Sequence, residues 1–323
     1  MLYSIQHQTR FRYDSPVSES IMELHMQPRT EGRQRCLNFF VKVNPKARVL
    51  PYRDHLGNHV HHFSVAAKHT QLLITTEATV EVTPADPLPG FLPLSAWDEL
   101  DYILEREDHW EFLMPSDYAQ PTPLLQELAL QLDLRRREDP LSLLIEINRS
   151  LYERFDYATR HTHVNSPIDH ALSGRKGVCQ DFAHIFIALL RELRIPARYV
   201  SGYLYHSRQN RDRSADGSSH AWVEAMLPGL GWIGLDPTNN LLAGERHIRT
   251  AIGRDYSDVP PTQGIFRGGA NSELDVLVRV RPTGAPEAED PARELLFNSN
   301  PPVFGERITP LEDHHQQQQQ QQQ

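Results

Sequence analysis

The stretch that most constrains this chain is residues 174–194, GRKGVCQDFAHIFIALLRELR. After Cys179 the residues Phe182, Ala183, Ile185, Phe186, Ile187, Ala188, Leu189, Leu190 and Leu193 leave almost no polar face. A helix that is apolar nearly all round is a buried one. The pattern therefore predicts a central helix with Cys179 in its first turn. Gly174 and Gly177 loosen the chain just before it, and Arg175 and Lys176 add two cations. The free N–H groups and partial positive charge of a helix N-terminus favour an anion, and a thiolate is such an anion. A lone cysteine ahead of a buried helix is equally compatible with plain core packing.

Two further stretches bear on that choice. Residues 218–227 read SSHAWVEAML and residues 231–238 read GWIGLDPT, with Leu-Pro-Gly-Leu around the junction. Two strand-like runs about such a turn predict a hairpin. Symmetry about Pro228 would set Glu224 opposite Trp232, Trp222 opposite Gly234 and His220 opposite Asp236. His220, Trp222 and Glu224 share one strand face. Directly opposed residues hold their Cβ atoms about 4.5–5.5 Å apart, close enough for a carboxylate to hold an imidazole by its Nδ1 proton. A one-residue slip would destroy the pairing. Cysteine at a helix start, histidine on a strand and aspartate at the end of the next form a nucleophile, base and orienter.

The segments GVCQDFAHIFIALLRELRIPARYVSGY, HAWVEA and GWIGLDPTN resemble the core of the transglutaminase-like superfamily over roughly residues 140–255. The N-terminal third resembles the β-rich domain that precedes this core in a bacterial branch. The resemblance implies Cys179 as nucleophile, His220 as general base and acid, and Asp236 as orienting carboxylate. It also implies a papain-like α+β fold, with the nucleophile helix against an antiparallel sheet and no metal or organic cofactor. The expected chemistry is cleavage of a peptide, isopeptide or carboxamide bond through a thioester. Acyl transfer from glutamine to an amine is the first alternative, and a non-catalytic scaffold on the same fold is the second. The Cys179 backbone N–H is one candidate oxyanion donor. Gln180 and Tyr203 are candidates for the other, while Trp222 is expected to pack beside the cleft.

Hydrolysis is favoured over transfer on the strength of residues 210–219. This polar stretch is expected to be a mobile loop that admits water, with arginines that repel a cationic amine. The substrate is expected to be a peptide or protein. Nucleic acid is not an expected partner, because the formal charge of −9 offers no basic surface. The body is only mildly acidic, since seven acids against two arginines fall in residues 283–323. No run approaches the roughly 18 apolar residues that span a bilayer, and the first residues lack the apolar centre of a signal peptide. The expected location is therefore cytoplasmic, where thiols stay reduced. Two cysteines make no disulfide framework, and Cys36, in an apolar strand pattern, is expected in the core.

Residues 1–82 contain six or seven short alternating runs separated by turn residues, which predicts an all-β sandwich-like domain. His55, His59, His61, His62 and His69 lie in it. Neither a cysteine nor a carboxylate pair completes a ligand set, so they are expected at the surface. Residues 83–122 are rich in proline and predict a linker with one short helix. Residues 123–282 form the expected catalytic domain. It opens with helices at 123–134 and 140–155, the second carrying Leu144, Ile147, Leu151 and Phe155 on one stripe. Residues 283–323, ending in polyglutamine, are expected to be disordered.

Overall fold

The computed structural model describes residues 1–159, 161–207, 209–283 and 317–318. Its N-terminal part is built from strict alternation. In β1 (Leu2–Val17) the side chains of Tyr3, Ile5, His7, Thr9, Phe11 and Tyr13 are buried and their neighbours are not. β1 lies antiparallel between β6 (His69–Val82) and β15 (Ser272–Pro282), with β3 (Gln34–Asn44) on the far side of β6. A second layer places β14 (Thr262–Arg267), β2 (Glu19–Leu24), β5 (His59–Val65) and β4 (Leu50–Arg53) side by side. Phe11, Met22, Leu24, Met26, Phe63, Leu72 and Ile74 form a shared core.

Three expectations need correction here. β14 and β15, assigned by sequence to the catalytic domain, complete the two N-terminal layers instead. Their alternation fits a half-buried strand anywhere, and only the pairing partner decides where they belong. His61 and His69 are buried rather than on the surface, and Ser20 Oγ and His69 Nε2 are 2.9 Å apart. Cys36 lies half-exposed on β3, where its thiol donates to the carbonyl of Asn38.

The expected linker is also part of the core. α1 (Ala96–Leu104) buries Ala96, Trp97 and Leu100 at helical spacing. Trp97 Nε1 donates to the Glu138 carbonyl at 2.7 Å. Asp139 caps α3 (Pro140–Arg154) by accepting from Leu141 and Ser142 N–H, and its carboxylate also accepts from Leu92 N–H at 2.9 Å. α2 (Pro123–Gln131) starts at a Thr122 cap with proline in its first turn, where the missing N–H costs nothing. The tail after Thr283 lies outside the described residues except for Gln317 and Gln318, which pair with the edge of β14.

The second core surrounds α5 (Cys179–Glu192), buried over nearly its whole length. α3 offers Leu144, Ile147 and Leu151 to it. On another side lies a five-stranded antiparallel sheet in the order β12 (Leu241–Leu242), β11 (Gly231–Asp236), β10 (His220–Leu227), β9 (Ala197–Leu204) and β13 (His247–Gly253). Ala221, Val223, Ala225 and Leu227 of β10 join the α5 core. On the other face Val200, Trp222 and Ile252 meet Leu56 of the N-terminal part. Asn58 fastens the two parts by bonding both backbone groups of Ile252, at 2.8 and 2.9 Å. Among the described residues no helix is long and apolar enough to cross a membrane.

Candidate active site

The sequence places Cys179 in the first turn of α5, and the structure has it there, with Val178 as the extended N-cap residue. Asp181, in the same turn, accepts from Val178 N–H at 2.8 Å and from Thr162 Oγ at 2.6 Å. The carboxylate thus ties both the entering chain and residue 162 to the helix start. A Cβ on Gly177 would sit 2.6 Å from Asp181 Oδ2, so this approach requires glycine. Burial raises the Asp181 pKa to about 6, against the opposing pull of those two hydrogen bonds. Of the two cations before the cysteine, Arg175 has another task. Arg175 lies over the Phe155 ring at 5.0 Å and donates to Gln131 Oε1 at 2.7 Å.

The hairpin register differs from the symmetric expectation by two residues. Glu224 faces Gly234 and Met226 faces Trp232, with Leu227 and Gly231 closing the turn. Gly229, at φ +69°, forms the turn's centre in a conformation that suits glycine. A shift of two keeps every side chain on its face, so His220 and Asp236 become diagonal neighbours and still meet. His220 Nε2 donates to Asp236 Oδ2 at 2.8 Å. The carboxylate therefore holds the imidazole by Nε2, not by the expected Nδ1. Nδ1 has no hydrogen-bond partner among the described residues, and the charge of Cys179 acts on the ring.

Asp236 is completely enclosed. Its Oδ1 accepts from the backbone N–H groups of Thr238 and Asn239, at 3.0 and 3.2 Å. Its Oδ2 accepts from His220, from Asn239 Nδ2 at 2.8 Å and from His247 Nε2 at 3.2 Å. Burial alone would favour a neutral carboxyl, but the two histidines hold its pKa far below the ordinary carboxylate range. For His220, burial pulls the other way, and the charges of Asp236 and Cys179 outweigh it to push the pKa up to about 10. The arrangement favours a buried imidazolium–carboxylate pair beside the Cys179 sulfur. Exposure is 1% for Cys179, 3% for His220 and 0% for Asp236, so the site is closed.

The bacterial transglutaminase-like N-terminal region matches residues 3–81, and the transglutaminase-like superfamily core matches residues 129–237. An uncharacterized protein of Mycobacterium leprae is 34% identical over 278 residues, covering 85% of this chain and 97% of that protein. The chain belongs to the transglutaminase-like superfamily. A protein-glutamine gamma-glutamyltransferase of Pseudomonas aeruginosa is 26% identical over 197 residues, 55% of this chain and 28% of that protein. Among solved structures, a putative cysteine protease from Cytophaga hutchinsonii shares the fold, with a TM-score of 0.68 and 24% identity. That match covers 88% of this chain and 91% of the other.

Of the three accessory candidates, Gln180 and Tyr203 have side-chain partners outside the site, and Trp222 lies against it. Gln180 Nε2 donates to the Val164 carbonyl at 2.9 Å, which ties that segment to the start of α5. Tyr203 Oη lies 2.9 Å from His7 Nδ1, in the contact with β1. Trp222 stacks along His220 at 6.1 Å and meets His247 edge-on at 5.1 Å. Residues 210–219 are more firmly held than their polarity suggests. Asp212 pairs with Arg246 at 2.8 Å, and Arg213 donates to the Tyr152 and Phe155 carbonyls. The backbone N–H groups of Arg213 and Ser214 both donate to Asn239 Oδ1. Asn239 thus connects this loop to Asp236.

Sequence reasoning missed two neighbours. Tyr157 pairs with Gly177 in the short parallel bridge beside the cysteine, and its phenol oxygen accepts from Ala215 N–H at 3.4 Å. Burial, and then the charge of Cys179, raise its pKa well above the ordinary value. His247 is the other. Together with His220 and Asp236 it brings three ligand-type atoms within 4.8 Å of one another. The donor set does not suit a metal ion. His247 Nδ1 accepts a hydrogen bond from Gly244 N–H at 3.2 Å, so the neutral ring carries its proton on Nε2. That nitrogen donates to Asp236 and has no lone pair to offer a cation.

Proposed function

We propose that this chain is a thiol enzyme that cleaves peptide, isopeptide or carboxamide bonds through a thioester on Cys179. One observation carries the reading: a buried carboxylate holds the His220 ring at Nε2 and leaves Nδ1 unbonded, within reach of the charge on Cys179. The Cys179 proton sits on His220 as the imidazolium, and the thiolate sulfur attacks the substrate carbonyl to form the S–C bond. The oxyanion is met by first-turn N–H groups of α5, the free donors of a helix start. The C–N bond then breaks, and the imidazolium returns its proton to the leaving amine or ammonia. Asp236 keeps the ring oriented and charged without taking the proton itself.

Water is the acceptor in the favoured reading, because residues 210–219, joined to Asp236 through Asn239, are polar and contain no apolar run to receive a lysine side chain. Transfer to an amine has an observation of its own: Cys179 is 1% exposed, and a thioester shielded from water survives until an amine arrives. The arginine argument against amines is weaker than the sequence suggested, since Arg213 is committed to two backbone carbonyls.

The test supplies glutamine-containing peptides with and without a millimolar primary amine, using wild type and Cys179→Ala. Release of free acid and ammonia that ignores the amine, and is lost in the variant, is the expected result. Diversion into an amine-coupled product would establish transfer instead. Absence of turnover, with iodoacetamide labelling Cys179 no faster than Cys36, would leave the scaffold reading.

A further inference from the structure

His247 reaches the site from β13, the strand on the opposite side of β9 from β10. Its ring is buried and its two nitrogens have distinct partners. Nδ1 accepts from Gly244 N–H at 3.2 Å, while the His247 N–H donates back to the Gly244 carbonyl at 3.0 Å. This reciprocal pair fixes the ring's tautomer and its direction. Nε2–H is then the donor that meets Asp236 Oδ2 at 3.2 Å, the same oxygen that accepts from His220 at 2.8 Å. One carboxylate oxygen is therefore shared by two imidazoles of different character. The first has a remaining nitrogen with no hydrogen-bond partner among the described residues, and the second has its remaining nitrogen closed off by backbone.

We propose that His247 is a positioning residue, a neutral imidazole whose Nε2–H keeps the Asp236 carboxylate ionised and aimed at His220 Nε2. The inference rests on the Cys179–His220–Asp236 reading above and adds a fourth member to it. The need for such a donor follows from burial. At 0% exposure a carboxylate without enough donors takes up a proton, and the proton at hand is the one on His220. Each N–H aimed at Oδ2 opposes that transfer. Asn239 supplies a second such donor, but it also carries the loop at residues 213 and 214, so His247 is the one of the two that holds no part of that loop. The charged groups around His247 agree with a neutral ring. Burial lowers its pKa, the nearby charges of His220 and Arg246 act the same way, and only Asp236 opposes them.

The experiment compares His247→Leu, which keeps the bulk but not the donor, with His247→Gln, whose side-chain amide can place an N–H near the Nε2 position. Rates of Cys179 alkylation by iodoacetamide are followed against pH, alongside steady-state kcat and KM, with Asp236→Asn as a control. A hydrogen bond to a charged group corresponds to about 10- to 100-fold in rate. His247→Leu is expected to lose about that factor in kcat with KM nearly unchanged, and its alkylation curve should move to higher pH. His247→Gln should stay within a few-fold of wild type in both. An unchanged alkylation curve in His247→Leu, while Asp236→Asn shifts it, would overturn the role of His247 alone. Equal damage from Gln and Leu would reduce it to shape. An unaltered curve in Asp236→Asn would remove the triad reading and this proposal with it.

Discussion

His7 on β1 and His220 on β10 are both buried strand histidines, yet their surroundings drive them to opposite charge states. His7 is fully enclosed, with Tyr203 Oη 2.9 Å from Nδ1 and Thr9 Oγ 3.3 Å from Nε2. Hydroxyls satisfy a neutral ring, and burial lowers its pKa to about 3. His220 is buried almost as deeply, but Asp236 meets its Nε2 and the pKa rises to about 10. Desolvation is common to both, so the carboxylate makes the difference. A buried histidine on a sheet is inert by default. It becomes a usable base when a charge, itself kept ionised by other donors, is buried with it.

The largest effect is expected from removing that charge. Asp236→Asn keeps the shape of the side chain, so His220 should come to resemble His7, with a pKa below its ordinary value of 6.5. In the proposed mechanism kcat should fall by about 10³- to 10⁴-fold, the scale known for this change in other triads. Titration of His220 by NMR, with kcat measured in parallel, checks both halves. A ring that remains protonated at pH 8 in the variant would mean that something other than Asp236 sets its charge, and the comparison with His7 would fail.

The same contrast should be visible in stability against pH. His220 has a raised folded pKa, so its contribution is complete below 6.5 and is lost as pH climbs to about 10. The neutral histidines act in the other direction. His7, His61 and His184 have folded values of about 3, 4 and 4, set by burial, so their contribution is complete above 6.5 and is lost as pH falls. Each contributes a slope of about 1.4 kcal/mol per pH unit over its window. Asp181 opposes them between about 6 and 3.8, because its raised pKa makes the folded state bind the proton more tightly there. The melting temperature should therefore peak near pH 6.5 and fall on both sides. In Asp236→Asn the alkaline fall should shrink and the acid fall should remain. An alkaline limb that survives unchanged would show that His220 does not create it.

Several parts of this site could be read before the structure, for physical reasons that can be named. The run after Cys179 has one period and one polarity, so helix and burial followed together. The meeting of His220 and Asp236 survived an incorrect register because an error of two residues preserves the face, where an error of one would not. The atom of contact was not legible, since strand alternation gives the side of a sheet and not the turn of a ring about its bond. β14 and β15 were misassigned because their alternation fits any half-buried sheet position. His247 was hidden for a similar reason. The run HIRTAIG identifies a strand, but only the β13–β9 pairing brings its first residue beside Asp236.

The smallest effect sharpens the comparison from the His7 side. Tyr203 lies on β9 and was a candidate for stabilising the oxyanion, but its hydroxyl is 2.9 Å from His7 and its ring packs with Tyr3, Ile5 and Ile248. Tyr203→Phe removes one buried hydrogen bond and leaves the Nδ1 of His7 without its partner. The expected cost is about 1 to 2 kcal/mol of stability. Activity should stay within about twofold of wild type, because an oxyanion donor would be worth about 3–4 kcal/mol in the transition state and Tyr203 is not placed as one. Thermal melting and kcat on the same preparation separate the two roles. A stability loss with kcat retained places Tyr203 in the contact between β1 and β9. A hundredfold loss of kcat with melting unchanged would return Tyr203 to the site. It would also mean that this contact, which sets the neutral His7 apart from the charged His220, reaches the chemistry after all.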